Sequence, residues 1–120
     1  MNIAITSQDK TLQGALDSRF GRTRYFIIYN IETKEFAAIE NIQNLNAAQG
    51  AGIQTAQNVV ATDSKAVITS NCGPKAYRVL SAAGVKIYKG IEASVEENIK
   101  KYNNGELEEM EDANVAGHWM

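Results

Sequence analysis

The one cysteine and the one proline of the chain lie two residues apart, in the stretch SNCGP that contains Cys72, Gly73 and Pro74. Proline is favoured at the first position of a helix, where its missing N–H costs nothing, so we expect a helix to begin at Pro74, just after Cys72. A thiol at a helix N-terminus can have a lowered pKa, and a thiolate is a nucleophile and a ligand for soft metals. The alternative is that Cys72 is a small apolar residue that fills a tight junction.

Three of the four arginines of the chain lie in the segment SRFGRTR. They are Arg19, Arg22 and Arg24, and the nearest acid in the sequence is Asp17. Because the chain as a whole is slightly acidic, this clustering indicates a local site for an anion. The alternative is a solvated loop whose arginines pair with nearby acids.

A pair of glycines, Gly50 and Gly52, precedes a helical pattern in the stretch GAGIQT. The beginning G-x-G is shared with dinucleotide-binding fingerprints, but the sixth residue is Thr55 and the stretch does not follow the first strand of a βαβ unit. We therefore expect the glycines to give backbone freedom at a helix start, where exposed N–H groups can help to hold an anion.

The one histidine of the chain, His118, lies beside Trp119 and Met120 at the C-terminus. Histidine can bind metals, which makes His118 a second candidate metal ligand beside Cys72. One cysteine and one histidine cannot supply a four-ligand zinc site, and a Ser–His–Asp triad would have to use His118. We expect no enzymatic activity, because no acid–base pair is apparent in the sequence.

The elements that would position these residues form an α/β pattern. Apolar and β-branched runs predict strands, and apolar residues at intervals of three and four predict helices. The predicted order is β-β-β-α-β-α-β-α, in a mixed sheet of about five strands with helices on its faces. An antiparallel hairpin is expected over 24–42, and a central strand at 65–70 is expected to run parallel to 2–6 and 85–88. The remaining expected elements are a loop over 43–51 and helices over 52–62, 74–84 and 94–105.

The position of the site follows from this order of elements. Ligands bind α/β sheets beyond the carboxyl ends of the strands. The predicted site therefore lies at the carboxyl ends of the first and fourth strands, where Gly73 and Cys72 follow one strand and the arginine segment follows the other.

Length and composition indicate one globular domain. The chain has 120 residues, of which 44% are hydrophobic, and a net charge of −2, which does not favour a nucleic-acid partner. A single cysteine fits a reducing compartment, and no apolar run approaches the roughly 20 residues of a membrane span, so we expect a cytoplasmic monomer without a membrane partner. We expect a single domain over 1–109 and, because acidic residues crowd its beginning, a flexible acidic tail over 110–120.

Four stretches of the sequence, spread over roughly residues 2–109, together resemble the dinitrogenase iron–molybdenum cofactor family. The resemblance implies a three-layer fold of the ribonuclease H-like type, and binding of a metal–sulfur cluster without catalysis. That family includes nitrogenase accessory proteins that bind or carry iron–molybdenum cofactor and its precursors, and many small stand-alone proteins. The four stretches are SRFGRTRYFIIYNIET, GAGIQTAQ, AVITSNCGPKAYRVLSAAGVKIY and SVEENIKKYNNGELEE.

The resemblance also gives the candidate residues a common purpose. Clusters of this class are anionic, so the three arginines would supply positive charge, Gly50, Gly52 and Gly73 would supply N–H groups, and Cys72 becomes a candidate iron or molybdenum ligand. The implied function is a carrier for an iron–molybdenum-type or iron–sulfur cluster, with a cluster donor or acceptor protein as its partner. The alternative is a metal-free interaction or regulatory domain on the same fold.

Overall fold

The structure, a computed structural model, describes residues 1–41 and 51–113. Its strands form one sheet in the order β3-β2-β1-β4-β5-β6. Strands β1, β4 and β5 run parallel, whereas β2, β3 and β6 are antiparallel to their neighbours. The strands are β1 (Asn2–Ser7), β2 (Tyr25–Asn30), β3 (Phe36–Glu40), β4 (Ser64–Thr69), β5 (Lys86–Lys89) and β6 (Glu108–Glu109).

Three described helices, α1 (Ala51–Ala61), α2 (Pro74–Ala82) and α3 (Val95–Asn103), cover the two faces of this sheet. Strands β1 and β4 lie at its centre, which explains why they are almost entirely buried and why their middle residues are apolar. Alternate side chains of the strands enter two cores: one contains residues of α1 and α2, and the other contains residues of α3. The fold is therefore a helix–sheet–helix arrangement in three layers.

Local sequence signals place the helix ends. Gly73 is the N-cap of α2 and Pro74 occupies its first turn, as the SNCGP stretch predicts. Ser94 caps α3 through its side-chain oxygen, which accepts a hydrogen bond of 3.1 Å from the Glu97 N–H. Gly84 follows α2 in the left-handed region at φ 78°, a conformation that a residue with a side chain adopts only at a cost.

The sequence-based expectations for the sheet are confirmed except for the number of strands. The hairpin is antiparallel, and β4 lies between β1 and β5 with both neighbours parallel to it. The expected count of about five strands is too low, because Glu108–Glu109 add a sixth strand antiparallel to β5. Leu107 and Met110 flank these two glutamates and are buried in opposite cores, so the acidic run is held against the sheet at both ends.

Met110 is the first residue of the tail that the sequence predicts over 110–120, but its side chain packs in the core of the domain. It is 7% exposed, its N–H donates to the Ile87 carbonyl at 2.7 Å, and its carbonyl accepts from the Tyr77 hydroxyl at 3.0 Å. A flexible tail stays a prediction for the residues beyond 113, which lie outside the described part of the chain together with His118. The segment 42–50, which contains most of the predicted loop and Gly50, also lies outside it.

Within residues 1–41 and 51–113, none of the helices has the length and apolar character needed to cross a membrane.

Candidate functional site

One edge of the sheet collects the carboxyl ends of the three parallel strands. Because β2 and β3 are antiparallel, their register also brings Tyr25 and Glu40 to this edge, opposite Ser7 of β1. Helices α2 and α3 begin there, since each follows a parallel strand, and the N-terminal half of α1 reaches the same edge through Thr55. The sequence-based location of the site is thus an edge where three helix N-termini and several loops meet.

The arginine loop, residues 18–24, is fixed at this edge by main-chain hydrogen bonds from Asp17, which precedes it, to β1 and from the loop itself to the segment that follows β4. The Asp17 N–H donates to the Thr6 carbonyl at 3.1 Å, and the Phe20 N–H donates to the Asn71 carbonyl at 3.1 Å. The Asn71 side-chain amide returns a bond of 2.9 Å to the Ser18 carbonyl. Phe20 itself is fully buried in the core, so the loop is anchored by a large side chain as well as by its backbone.

The opposite side of the arginine loop is held by α1 and by the end of β3. The Thr55 hydroxyl donates to the Gly21 carbonyl at 3.3 Å, and the Asn41 side-chain amide donates to the Thr23 carbonyl at 3.0 Å. Asn41 and Thr55 are both buried and also bond to each other. The loop therefore bridges the starts of α1 and α2 and has little freedom to move.

The three arginines project from a loop whose intervening residues are buried. Arg19 and Arg24 are exposed and Arg22 is half-buried, whereas Phe20 and Thr23 are fully buried. In the described part of the chain no carboxylate lies within ion-pair distance of the guanidinium of Arg19 or Arg24. The alternative in which these two arginines pair with nearby acids is therefore wrong for the described residues.

A fourth cation, Lys10, joins the arginine loop through Tyr25. The Lys10 ammonium lies 5.7 Å from the centre of the Tyr25 ring, and the Arg24 guanidinium lies 5.9 Å from the same centre. Lys10 also lies 3.8 Å from a Glu40 carboxylate oxygen. No local motif in the sequence points to Lys10, because its contacts with Tyr25 and Glu40 depend on how β1, β2 and β3 pair.

Cys72 does not have the environment that its position before a helix predicts. Its side chain is 0% exposed and packs in the core with Phe20, Ala76 and Leu80. Burial raises the pKa of the thiol from 9.0 to about 12, because a thiolate would lose its hydration. The expectation of a lowered pKa is wrong: desolvation outweighs the helix dipole, and the thiol is protonated at neutral pH. This environment matches the alternative given by the sequence, in which Cys72 is a small apolar residue that fills a tight junction.

Of the three candidate glycines, the structure describes Gly52 and Gly73, and both lie at helix starts. Gly52 is buried in the first turn of α1, and Gly73 is buried at the N-cap of α2. A glycine N-cap has no side-chain oxygen that could compete for the N–H groups of the first turn of α2. Each of these two helix starts directs the positive end of its helix dipole towards this edge.

A groove of ≈ 550 Å³ opens on the same edge, between the arginine loop and the start of α3. Among the residues that line the groove, Glu92 is the one ionisable side chain. Glu92 lies in the loop after β5, and Ser70 and Asn71 lie in the loop after β4. The rule that loops after parallel strands form ligand sites would have found all three. The groove is lined by Gln8, Ala15, Leu16, Ser18, Ser70, Asn71, Glu92 and Ala93.

The fold and this edge define the class: a small three-layer α/β protein with a cationic loop at the carboxyl edge of its parallel strands. The family model described as "Dinitrogenase iron-molybdenum cofactor" matches residues 1–105. The chain belongs to this family. It is also 37% identical over 98 residues to an uncharacterised protein of Methanocaldococcus jannaschii, over 80% of this chain and 83% of that protein.

Solved structures with the same fold cover nearly the whole chain. The apo form of the orange protein from Desulfovibrio gigas matches with a TM-score of 0.92 and 29% identity, over 95% of this chain and 96% of that one. A NifB-like protein from Thermotoga matches with a TM-score of 0.85 and 35% identity, over 97% and 98% of the two chains. The backbone is thus shared across relatives in which most side chains differ.

Proposed function

We propose that this protein is a non-catalytic binding or carrier module for an anionic metal–sulfur cluster, either of the iron–molybdenum cofactor type or an iron–sulfur precursor. One observation carries the proposal: a loop with three arginines is held between α1 and the segment before α2 by hydrogen bonds from the Thr55 hydroxyl and to the Asn71 carbonyl, beside a groove of ≈ 550 Å³. The family description and the NifB-like relative support this class of cargo.

The cargo would be held mainly by charge and hydrogen bonds. Arg19, Arg22 and Arg24 provide guanidinium groups with several N–H donors each, and the starts of α1 and α2 provide dipoles of the same sign. Because the loop is already fixed by its anchors, little ordering is needed when the cluster binds, which strengthens binding. No bond to Cys72 is needed in this arrangement, and the buried, protonated thiol is poorly suited to form one.

The proposal contains no catalytic step, since Glu92 has no ionisable neighbour among the residues that line the groove with it. It places the protein in the cytoplasm, in keeping with its single cysteine, with a cluster donor and a cluster acceptor protein as partners. We also infer that the three-layer fold is of the ribonuclease H-like type, as membership of the family suggests.

Anaerobic titration with a synthetic thiolate-capped iron–sulfur cluster, followed by absorbance, tests the proposal. Arg22→Glu should weaken binding by roughly tenfold or more, because it places a negative charge beside an anionic cargo. The matched control Lys86→Glu makes the same charge change at the start of β5, on the opposite edge of the sheet, and should leave binding nearly unchanged. Equal weakening in both variants would show that binding depends on net charge and not on this site.

A metal-free interaction or regulatory domain is the second candidate function. The observation that favours it is that residues 1–41 and 51–113 contain no group of three or more His, Cys, Asp or Glu side chains that could hold a metal ion. Under this reading the unaltered protein binds no cluster in the titration. Saturable binding by the unaltered protein, together with its loss in Arg22→Glu, would exclude it.

A further inference from the structure

The face of the sheet that holds α3 is covered less completely than the other face. In the described part of the chain, this face carries one helix, whereas the other carries α1 and α2. An α-helix is about 10 Å across and neighbouring strands lie about 4.8 Å apart, so one helix covers only about two strands. Helix α3 packs against β1, and a groove of ≈ 350 Å³ remains between α3 and β2.

The floor of this groove is apolar apart from one hydroxyl group. Ile99 and Tyr29, which line it, are 4% and 7% exposed. The Tyr77 hydroxyl donates to the Met110 carbonyl, but the Tyr29 hydroxyl has no hydrogen-bond partner among the described residues. Every fully buried side-chain oxygen and nitrogen of these residues has a partner. The Tyr29 hydroxyl therefore opens into the groove and can bond to a molecule that lies there.

The rim of the groove holds a lysine, Lys34, in a backbone conformation that is unusual for its residue type. Its φ is 65°, in the left-handed region that few residues other than glycine and asparagine adopt. The turn is fixed by Asn30, whose carbonyl accepts from the Lys34 N–H at 2.8 Å and whose side-chain oxygen accepts from the N–H groups of Glu32 and Thr33. Within residues 1–41 and 51–113, no carboxylate lies within ion-pair distance of the Lys34 ammonium group.

The other charges of the rim largely offset each other. Lys100 lies 3.8 Å from a Glu96 carboxylate oxygen, one turn earlier on α3. The lining residues thus carry one cation more than they carry acids, and that cation, Lys34, lies beside an apolar floor with one hydroxyl group. This combination fits a single negative charge on an apolar body.

We propose that the groove between α3 and β2 binds a small monocarboxylate with an aromatic or aliphatic body. The Lys34 ammonium and the Tyr29 hydroxyl donate to the carboxylate, and the body covers Ile99 and the half-buried Leu12. A neutral apolar molecule would leave both donors without a partner in a partly desolvated site, which costs binding energy. The volume of the groove lies within the range of small-molecule sites.

This site is independent of the proposed function. Strand β2 runs from Tyr25, at the carboxyl edge of the sheet, to Asn30 at the opposite edge. A strand of this length spans roughly 17 Å, so the Lys34 end of the groove lies far from the arginine loop.

A titration with hydrocinnamate, followed by amide chemical shifts in NMR spectra, tests the proposal. We expect saturable shifts at Tyr29, Lys34 and Ile99 with a dissociation constant of about 1 mM, as for a ligand of this size. Hydrocinnamamide has the same shape without the charge and should bind at least about fivefold more weakly. The absence of saturable shifts at these residues up to about 20 mM, or equal binding of the acid and the amide, would overturn the proposal.

Two variants assign the contacts. Tyr29→Phe keeps the buried ring and should weaken hydrocinnamate binding roughly threefold to tenfold, and Lys34→Gln should weaken it about threefold. Their matched controls, Tyr102→Phe and Lys86→Gln, change residues that do not line the groove and should bind normally. Unchanged affinity in both Tyr29→Phe and Lys34→Gln would refute this site. Arg22→Glu should bind hydrocinnamate like the unaltered protein, so the outcome of the cluster titration does not decide this one.

Discussion

Replacement of Cys72 by alanine is expected to change how the stability of the protein depends on pH. Burial raises the pKa of the thiol from 9.0 to about 12, so the folded protein keeps this proton at pH values where the unfolded chain has lost it. A group whose pKa is raised on folding contributes its full stability below the unfolded pKa and loses that contribution as pH rises towards the folded pKa. The window for the effect is therefore about pH 9 to 12.

The size of the effect follows from the same pKa values. A pH of 10 lies one unit above the pKa of 9.0 that the thiol has in the unfolded chain, so the unfolded chain is stabilised by loss of the proton. This lowers the free energy of unfolding by about 1.4 kcal/mol relative to pH 7. The free energy of unfolding in urea should fall by about 1.4 kcal/mol more in the unaltered protein than in Cys72→Ala between these two pH values. Tyrosines and lysines titrate in both proteins, so their contributions cancel in the difference.

Two comparisons make this measurement decisive. At pH 7 Cys72→Ala should cost about 1 kcal/mol, because it removes one buried sulfur atom and leaves a small cavity. Cluster uptake by Cys72→Ala should be unchanged, since the proposed site holds its cargo by charge. Parallel stability–pH profiles for the two proteins would refute the burial of Cys72, and loss of cluster uptake would make the thiol a ligand after all.

Two further substitutions test the groove and the chain end. Glu92→Gln removes a negative charge from the groove and should strengthen binding of an anionic cluster by roughly twofold to tenfold in the same titration, whereas Glu97→Gln, on the exposed side of α3, should leave it unchanged. Met110→Ala should lower the free energy of unfolding in urea by about 2 kcal/mol because the side chain is buried. The control Glu111→Ala, at the exposed residue next to Met110, should change the free energy of unfolding by less than about 0.5 kcal/mol. A loss below about 0.5 kcal/mol in Met110→Ala would mean that this side chain does not pack in the core.

Local patterns predicted most of the fold, because the signals for its main elements lie within a few residues of each other. Pro74 after Gly73, and Ser94 three residues before Glu97, mark helix starts by chemistry that does not depend on distant contacts. The central strands are apolar on both faces, which is the signature of strands covered by helices on both sides. Strand β6 has no such signal, because only Leu107 and Met110 interrupt an acidic run, and each is buried by residues far away in the sequence.

The order of the elements predicted which candidate residues lie near each other, but not the protonation state of the thiol. Strand order placed Arg19 and Cys72 at one edge, and the structure brings their loops together through the bond between Phe20 and Asn71. The state of the thiol depended on which side chains surround it, and Phe20 and Leu80, which pack with it in the core, come from different parts of the chain. A helix dipole acts through about half a unit charge, which is too little to offset the desolvation of a fully buried thiolate.

The arginine loop separates the residues that hold its shape from those that supply its charge. Its shape depends on the buried side chains Phe20 and Thr23 and on carbonyls that accept from Thr55 and Asn41. Its charge comes from Arg19, Arg22 and Arg24, and in the described part of the chain neither Arg19 nor Arg24 forms an ion pair with an acid. Because the anchors that fix the backbone are not the residues that carry the charge, a substitution at Arg19 or Arg24 should change the charge of the loop without changing its shape.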